Sequence, residues 1–278
     1  MVMKKGFWII LCMFFIPPVT FAGNMKLHYD RPAEYFEEAL VIGNGTMGAT
    51  LYGGVKKDKI SFNDITLWTG EPESENSSPD AFNVIPEIRA LLDNEDYQGA
   101  DKAQYKVQGH YSENYQPLGT LTIEYLDDTA GISDYHRWLD IGNATARTQY
   151  LKDGKLFTSD YFASAPDSVI VIRLKSENKE GIHALLSFDS PLPHSSQVAD
   201  NEISVEGYAA YHSFPVYYKE EDKHRYDPER GIHFKTLVRV LSVDGSVKDR
   251  YSDSRIEIDG STEVLILIAN VTSFTRSK

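Results

Sequence analysis

The sequence predicts an all-β protein, a large antiparallel β-sandwich that carries a short helical insertion near residues 86–107. Most of the chain consists of strand-like segments of about five to nine residues separated by turn residues. In these segments apolar residues alternate with polar ones, as at Leu121, Ile123 and Tyr125, so one face of each strand is buried. Many short antiparallel strands joined by turns are typical of a sandwich.

One predicted strand has apolar residues on both of its faces. Val169 and Val171 interleave with Ile170, Ile172 and Leu174, which predicts a strand covered on both sides for much of its length. Residues 153–154, an Asp-Gly pair, are a strong signal for a two-residue hairpin. The alternation continues in further predicted strands at 182–188, 203–205, 234–241, 255–258 and 264–269.

The helical insertion is predicted as two helices. Pro86 suits a helix start, and apolar residues at 85, 88, 91 and 92 recur at helical spacing. Asn94, followed by two acidic residues, is a candidate N-cap for a second helix that runs to about Tyr105.

The first 22 residues are predicted to form a cleaved signal peptide. Two lysines precede the apolar residues 7–15, and Ala22 is a small residue before a cleavage point. The apolar run is too short to span a bilayer as a stable helix. Cys12, the only cysteine, lies inside this segment, so we expect a mature protein that begins at Gly23 and has no cysteine. This predicts a secreted or periplasmic protein of a bacterial envelope.

The charge balance limits the partners of the protein. The formal net charge is −13, which argues against nucleic acid and anionic membrane surfaces and is compatible with neutral sugars. After the signal peptide, no segment has the 18 or more apolar residues of a membrane span.

A glycine-rich stretch near the N-terminus predicts a tight turn. Gly43, Gly45 and Gly48 allow close backbone approach between two strands. The stretch lacks the lysine and serine of a phosphate-binding loop, and no helix pattern follows it.

A series of motifs resembles one known family. Together, from about Leu27 to Phe274, they closely resemble the N-terminal domain of glycoside hydrolase family 95, the α-L-fucosidase family. In chain order the motifs are RPAEYFEEALVIGNGTMGA (31–49), YGGV (52–55), ISFNDITLWTGEP (60–72), PEIRALL (86–92), YQPLG (115–119), YFASAPDSVIVIR (161–173), SFDSPL (187–192) and ANVTSF (269–274). This sequence departs from the family at Thr46 and Met47, where family members often have arginine and leucine. It also departs at Asp64 and Ile65, where they often have an acidic pair.

The resemblance implies a scaffold domain, residues 23–278, of an inverting α-L-fucosidase that acts on fucosylated oligosaccharides or glycans. It also implies that the catalytic groups lie in a partner (α/α)6 barrel domain that is absent from this chain. We therefore expect no catalytic residue, no cofactor and no metal here, and no activity of the chain alone. Acidic runs such as 37–38 and 220–222 are most simply solvated.

Asn44, Trp68 and Gln116 are the candidate substrate-binding residues, on the rim where the resemblance implies that sandwich and barrel meet. The alternative is structural: Asn44 supports a turn, Trp68 packs in the core and Gln116 caps a strand. We expect the 43–45 turn and the 115–119 segment to lie on the same side of the sandwich. A domain without its barrel would expose an apolar patch there and can form a homodimer through it.

The segment 208–231 is predicted to be a long, aromatic surface excursion. His212 and His224 lie in it and form a conceivable chance ligand pair, whereas His110 and the other histidines show no metal-site spacing.

Two other functions are consistent with the sequence. The aromatic excursion favours a free-standing carbohydrate-binding sandwich. The N-terminal domain of a related disaccharide phosphorylase shares the general architecture, but the LWTGEP and YQPLG motifs argue against it.

Overall fold

A computed structural model describes residues 25–72, 81–109 and 111–274, and it confirms the predicted all-β sandwich. The predicted signal peptide and the start at Gly23 lie outside these residues, as does His110. Two large antiparallel sheets pack face to face, one of nine strands and one of seven.

The nine-stranded sheet contains both early and late parts of the chain. In spatial order its strands are β1 (Lys26–Tyr29), β6 (Ile132–Asp140), β7 (Thr145–Lys152), β8 (Lys155–Ser164), β9 (Val169–Ser176), β18 (Glu263–Thr272), β15 (His233–Ser242), β12 (Glu202–Tyr208) and β11 (His194–Ala199). The last strand, β18, therefore pairs with β9 and β15 in the middle of the sheet.

The seven-stranded sheet faces it across the core. Its strands, in spatial order, are β16 (Ser246–Arg250), β17 (Arg255–Ser261), β10 (Ile182–Asp189), β5 (Gly119–Tyr125), β4 (Lys57–Asp64), β3 (Met47–Leu51) and β2 (Leu40–Gly43). A small ribbon of β13 (His212–Ser213) and β14 (His224–Arg225) and a short 3-10 helix (Phe36–Glu38) complete the described elements outside the helical insertion.

Alternation places the core between the sheets. In β9, Ile170, Ile172 and Leu174 are fully buried between the layers. Val171 points to the opposite face and is also buried, at 7% exposure, whereas Arg173 is only half-buried. The strand is thus partly covered on its second face, in line with its unbroken apolar run.

The predicted hairpin is confirmed between β7 and β8. Lys152 pairs with Lys155, and Asp153 and Gly154 both have positive φ, at 50° and 75°. Two positive φ angles define a type I′ turn, whose twist matches that of the flanking strands.

The predicted helix starts are wrong, although the insertion exists. The first helix, α1 (Ala81–Asp93), contains Pro86 in its interior. Proline has no N–H, so the carbonyl four residues before it lacks its helical hydrogen-bond donor. Because Val84 is the only residue of α1 that is buried, water can reach this carbonyl and donate to it. The second, α2 (Tyr97–Gln104), is capped by Asp96, whose carboxylate accepts the Gly99 N–H at 2.9 Å. Asn94 instead donates to the Ala90 carbonyl at the end of α1.

A carboxyl group is buried inside the sandwich at Asp58 on β4. It is 1% exposed, and its oxygens accept hydrogen bonds from the Tyr161 hydroxyl and the Gly54 N–H, both at 2.9 Å. No cation neutralises it among the contacts described, and burial raises the pKa of Asp58 to about 6.

Candidate functional site

Several long connections meet at one end of the sandwich, here called the loop end. It consists of the 44–46 turn, loop 65–72, segment 111–118, excursion 209–232 and the C-terminal end of β18. The antiparallel registers bring the first three together, because Met47 pairs with Asp64 and Phe62 with Gly119. The turn that contains Asn44 and the segment that contains Gln116 therefore lie at the same end of the sandwich, as predicted.

Asn44 has its side chain engaged within the protein. Its Oδ1 accepts the backbone N–H groups of Thr46 at 3.0 Å and Met47 at 2.8 Å, which closes the turn. Its Nδ2 donates to the Ser164 carbonyl at 3.0 Å and so ties this turn to the other sheet. These contacts are those of a structural residue.

Gln116 lies beneath the surface, with 6% exposure. Its backbone N–H donates to the Leu67 carbonyl at 2.9 Å, next to an isolated β-bridge between Trp68 and Tyr115. The bridge joins loop 65–72 to segment 111–118.

Trp68 is the exposed member of the three candidates. The residue is 43% exposed, and the core-packing alternative is therefore wrong for Trp68. The indole N–H donates to the Ile65 carbonyl at 3.1 Å, and the Tyr115 ring packs edge-on at 5.5 Å. Both contacts hold the indole in a fixed orientation, because each restricts its side-chain rotation.

Trp68 lines a cleft of about 950 Å³, here called the Trp68 cleft. Its lining includes the apolar residues Ile65, Ile232 and Phe274. The volume is in the range of small-ligand sites, which combine apolar walls with a few oriented polar groups.

The lining of the cleft also includes an arginine in a fixed position. Arg230 pairs with both carboxylate oxygens of Glu71, with 2.9 Å between Nε and Oε2, and lies 3.6 Å from the Tyr211 ring centroid. The hydrogen bond from Arg230 lowers the pKa of Glu71. Arginine with a carboxylate can hydrogen-bond sugar hydroxyls, and the exposed Trp68 ring can stack on a sugar ring.

A polar network that the sequence did not predict connects the loops beside the Trp68 cleft. Glu113 accepts hydrogen bonds from the Thr69 hydroxyl and, at 3.1 Å, from the Ser213 N–H. His212 Nδ1 lies 2.8 Å from the Glu113 carboxylate, and its Nε2 lies 2.9 Å from the Tyr111 hydroxyl. The network fastens the excursion to segment 111–118.

The two histidines of the conceivable ligand pair, His212 and His224, both contact other side chains. His212 uses both ring nitrogens in the network, and His224 Nδ1 lies 2.9 Å from the Ser213 hydroxyl. In the described part of the chain, no three His, Cys, Asp or Glu residues are grouped to hold a metal ion.

None of the helices described there is both long and apolar enough to cross a membrane.

Asp64 joins the two sheets beneath the cleft. Its carboxylate accepts the Thr66 N–H at 2.9 Å, the Thr66 hydroxyl at 2.6 Å and the Asn270 amide at 2.8 Å. Asp64 and Asp58 could both have been found in the sequence, because they are in phase with the buried residues Ile60 and Phe62.

Fold and site together define a class: a large antiparallel β-sandwich domain with a ligand-sized cleft at one end. The chain belongs to the family described as "Glycosyl hydrolase family 65, N-terminal domain", whose sequence model matches residues 27–277. This confirms the resemblance to the N-terminal domain of a glycoside hydrolase.

Curated relatives support the same placement. Alpha-L-fucosidase 2 of Arabidopsis thaliana is 28% identical over 90% of this chain and 30% of its own length. Probable alpha-fucosidase A of Aspergillus niger is 28% identical over 96% of this chain and 32% of its own length. The chain thus spans about a third of the length of these relatives.

A solved structure assigned as a kojibiose phosphorylase, from the human microbiome, is 10% identical, with a TM-score of 0.45. It aligns over 89% of this chain and 32% of that one.

Proposed function

We propose that the chain is the N-terminal β-sandwich scaffold of a secreted glycoside hydrolase that resembles inverting α-L-fucosidases and acts on fucosylated glycans. The observation that carries the proposal is the match of residues 27–277 to an N-terminal glycoside hydrolase domain, with α-fucosidases as relatives. The signal-peptide pattern of residues 1–22 supports export.

In this proposal a partner barrel domain supplies the catalytic acid and the water-activating groups. The carboxylates of the loop end have structural roles. Glu113, Glu71 and Asp64 all accept hydrogen bonds from neighbours, and these contacts hold the segments of the loop end together. The chain alone is then inactive.

Trp68 is the residue by which the domain contacts glycan. Its fixed, exposed ring offers a flat apolar surface, and Arg230 and Glu71 line the same cleft. Asn44 and Gln116 contribute indirectly, because they hold the turn and the bridge that position loop 65–72.

A free-standing carbohydrate-binding module is the second candidate. The excursion favours it, since Tyr111, Phe214 and Tyr218 form an aromatic cluster and the neighbouring Tyr217 is 74% exposed. In that case glycan binds at the excursion and the isolated chain suffices.

A glycan array with the isolated chain and its Trp68→Ala and Tyr217→Ala variants distinguishes the candidates. A scaffold domain binds weakly, and Trp68→Ala weakens that binding about tenfold, roughly 1.4 kcal/mol. If the isolated chain binds glycan tightly and only Tyr217→Ala abolishes that binding, the result supports the carbohydrate-binding module instead. The same chain must release no fucose from 2′-fucosyllactose, and turnover that a carboxylate substitution abolishes would refute the proposed division of labour.

A further inference from the structure

A groove lies on the outer face of the seven-stranded sheet, the face turned away from the nine-stranded sheet. It has a volume of about 470 Å³ and is lined by strands β2, β3, β4 and β5 together with the segments that precede β2 and β5. We call it the sheet groove. Its volume is in the range of small-ligand sites.

Short side chains with hydroxyl groups form part of the groove. In β4 the buried Ile60 and Phe62 point into the core, so Ser61 between them points outward. Thr50 pairs with Ser61, and Ser61 pairs with Thr120 on the next strand. Three adjacent strands therefore carry a row of hydroxyls, about 10 Å long at the usual strand spacing.

These hydroxyls have hydrogen-bonding capacity left for a ligand. Ser61 Oγ and Thr120 Oγ1 lie 3.2 Å apart, so each uses one position on the other. A hydroxyl has one donor and two acceptor positions, and the remaining ones are available. Thr50 Oγ1 is shielded from solvent and has no hydrogen-bond partner in the part of the chain that the structure describes. A ligand hydroxyl beside Thr50 would supply that partner without replacing a water contact.

Larger apolar side chains also line the sheet groove. They are Phe36, Val41, Tyr115, Pro117 and Pro191. Phe36 is 62% exposed and Tyr115 is 40% exposed, so both aromatic rings are open to a ligand. Rings and hydroxyls are the two kinds of group that suit a sugar, because rings pack on its C–H faces and hydroxyls bond to its own hydroxyls.

The sheet groove carries no charge. None of the described residues that line it is an acid or a base that is ionised at neutral pH, although the formal charge of the chain is −13. An ionic ligand would lose hydration here without gaining a counter-charge. Protein interfaces are enriched in arginine, and nucleic acid needs basic residues. The lining therefore favours a neutral ligand with many hydroxyls.

The sheet groove adjoins the Trp68 cleft. Tyr115 lines the groove and Trp68 lines the cleft, and the two rings pack edge-on at 5.5 Å. The β-bridge between the backbones of these residues fixes the contact. A chain of sugar rings that contacts Trp68 can therefore continue past Tyr115 to the row of hydroxyls.

We infer that the sheet groove binds a neutral oligosaccharide. Sugar rings pack on Phe36 and Tyr115, and sugar hydroxyls bond to the row of hydroxyls on β3, β4 and β5. The inference deepens the proposed function, on which it rests only for the kind of glycan. Trp68 contacts the glycan at the cleft, and the sheet groove holds the sugars that follow in the same glycan.

Titration of the chain with oligosaccharides, followed by nuclear magnetic resonance, detects such binding even when it is weak. 2′-Fucosyllactose and the unfucosylated lacto-N-tetraose are the neutral probes, and 3′-sialyllactose is the anionic comparison. Both neutral probes should shift the backbone amides of Thr50, Ser61 and Thr120 saturably at millimolar concentrations. The amide of Gly154, in the β7–β8 hairpin outside the groove, should not shift. 3′-Sialyllactose should bind about fivefold more weakly or less, because its charge has no partner in the groove.

Two pairs of variants test whether the groove is the site. Phe36→Ala should weaken the binding of both neutral probes about tenfold, and Phe82→Ala, which removes an exposed ring from α1, should not. Ser61→Tyr fills the groove and should abolish binding. Thr122→Tyr, two residues beyond Thr120 on β5 and outside the groove lining, should leave binding intact. All four variants must show the circular dichroism of the parent chain, which separates lost binding from lost folding.

The outcomes distinguish this inference from the proposed function. If lacto-N-tetraose binds as tightly as 2′-fucosyllactose and Ser61→Tyr abolishes both, the groove is supported whether or not the parent enzyme acts on fucose. If no probe shifts the three groove amides, or if Ser61→Tyr folds and binds like the parent chain, the inference is overturned and the proposed function stands. Groove amides that shift with protein concentration in the absence of sugar would also overturn it, in favour of a second copy of the chain as the occupant.

Discussion

Asp58 should make the stability of this protein fall as the pH rises from about 4 to 7. Burial raises the pKa of Asp58 from 3.8 to about 6, so the folded chain holds this proton more tightly than the unfolded chain. The stability that the proton confers is fully present below pH 3.8 and is lost as the pH passes 6.

The size of the effect follows from the shift. A rise of about two pKa units is worth roughly 3 kcal/mol, of which about 2.5 kcal/mol falls between pH 4 and pH 7.5. Asp58→Asn removes the ionisation and keeps polar partners, because the amide oxygen can accept the Gly54 N–H and the amide nitrogen can donate to the Tyr161 hydroxyl.

Urea denaturation of both proteins at the two pH values isolates Asp58, because the other groups titrate alike in each. Relative to the parent chain, Asp58→Asn should gain about 2.5 kcal/mol of unfolding free energy between pH 4 and pH 7.5. The exposed substitution Asp222→Asn serves as the control and should gain nothing. A gain below about 0.5 kcal/mol for Asp58→Asn would show that the buried carboxyl is not the protonated group described here.

Three further substitutions test other contacts. Arg137→Leu should cost about 3 kcal/mol in urea unfolding, because the Arg31 and Glu38 carbonyls lose their buried donor, whereas the exposed control Arg147→Leu should cost less than about 1 kcal/mol. Gly53→Ala should cost about 2 kcal/mol or more, since φ is 69° and a Cβ would lie 2.6 Å from the Tyr135 hydroxyl; equal cost in Gly45→Ala, where the space is open, would contradict the clash. Glu113→Gln should speed amide exchange in residues 211–225 more than Glu220→Gln does, because Glu113, unlike Glu220, fastens His212 and Ser213 of the excursion to segment 111–118; no difference would refute that role.

The sequence predicted those features whose cause is local. Alternating apolar residues identify strands because successive side chains point to opposite faces, and Asp153-Gly154 specifies its hairpin by backbone preference alone. The helix starts were misplaced because Pro86 and Asn94 are each compatible with more than one position in or beside a helix.

The site was predicted less completely because its contacts are distant in sequence. Glu113 and His212 are 99 positions apart, and Asp64 and Asn270 are 206 apart. No local pattern links such pairs. The placement of Asn44 and Gln116 at one end followed from the motifs, but which of the candidate side chains stays exposed depended on the packing of loop 65–72.

The central place of β18 has a consequence for the order in which the protein folds. Five strands of the nine-stranded sheet end by residue 176, and the three on the other side of the sheet span 194–242; only β18 joins these two halves. Until Thr272 has been synthesised, β9 and β15 are each unpaired on one side and can template pairing with other chains. Completion of the sheet therefore waits for β18, and the ribosome must release almost the entire domain before it becomes resistant to misassembly.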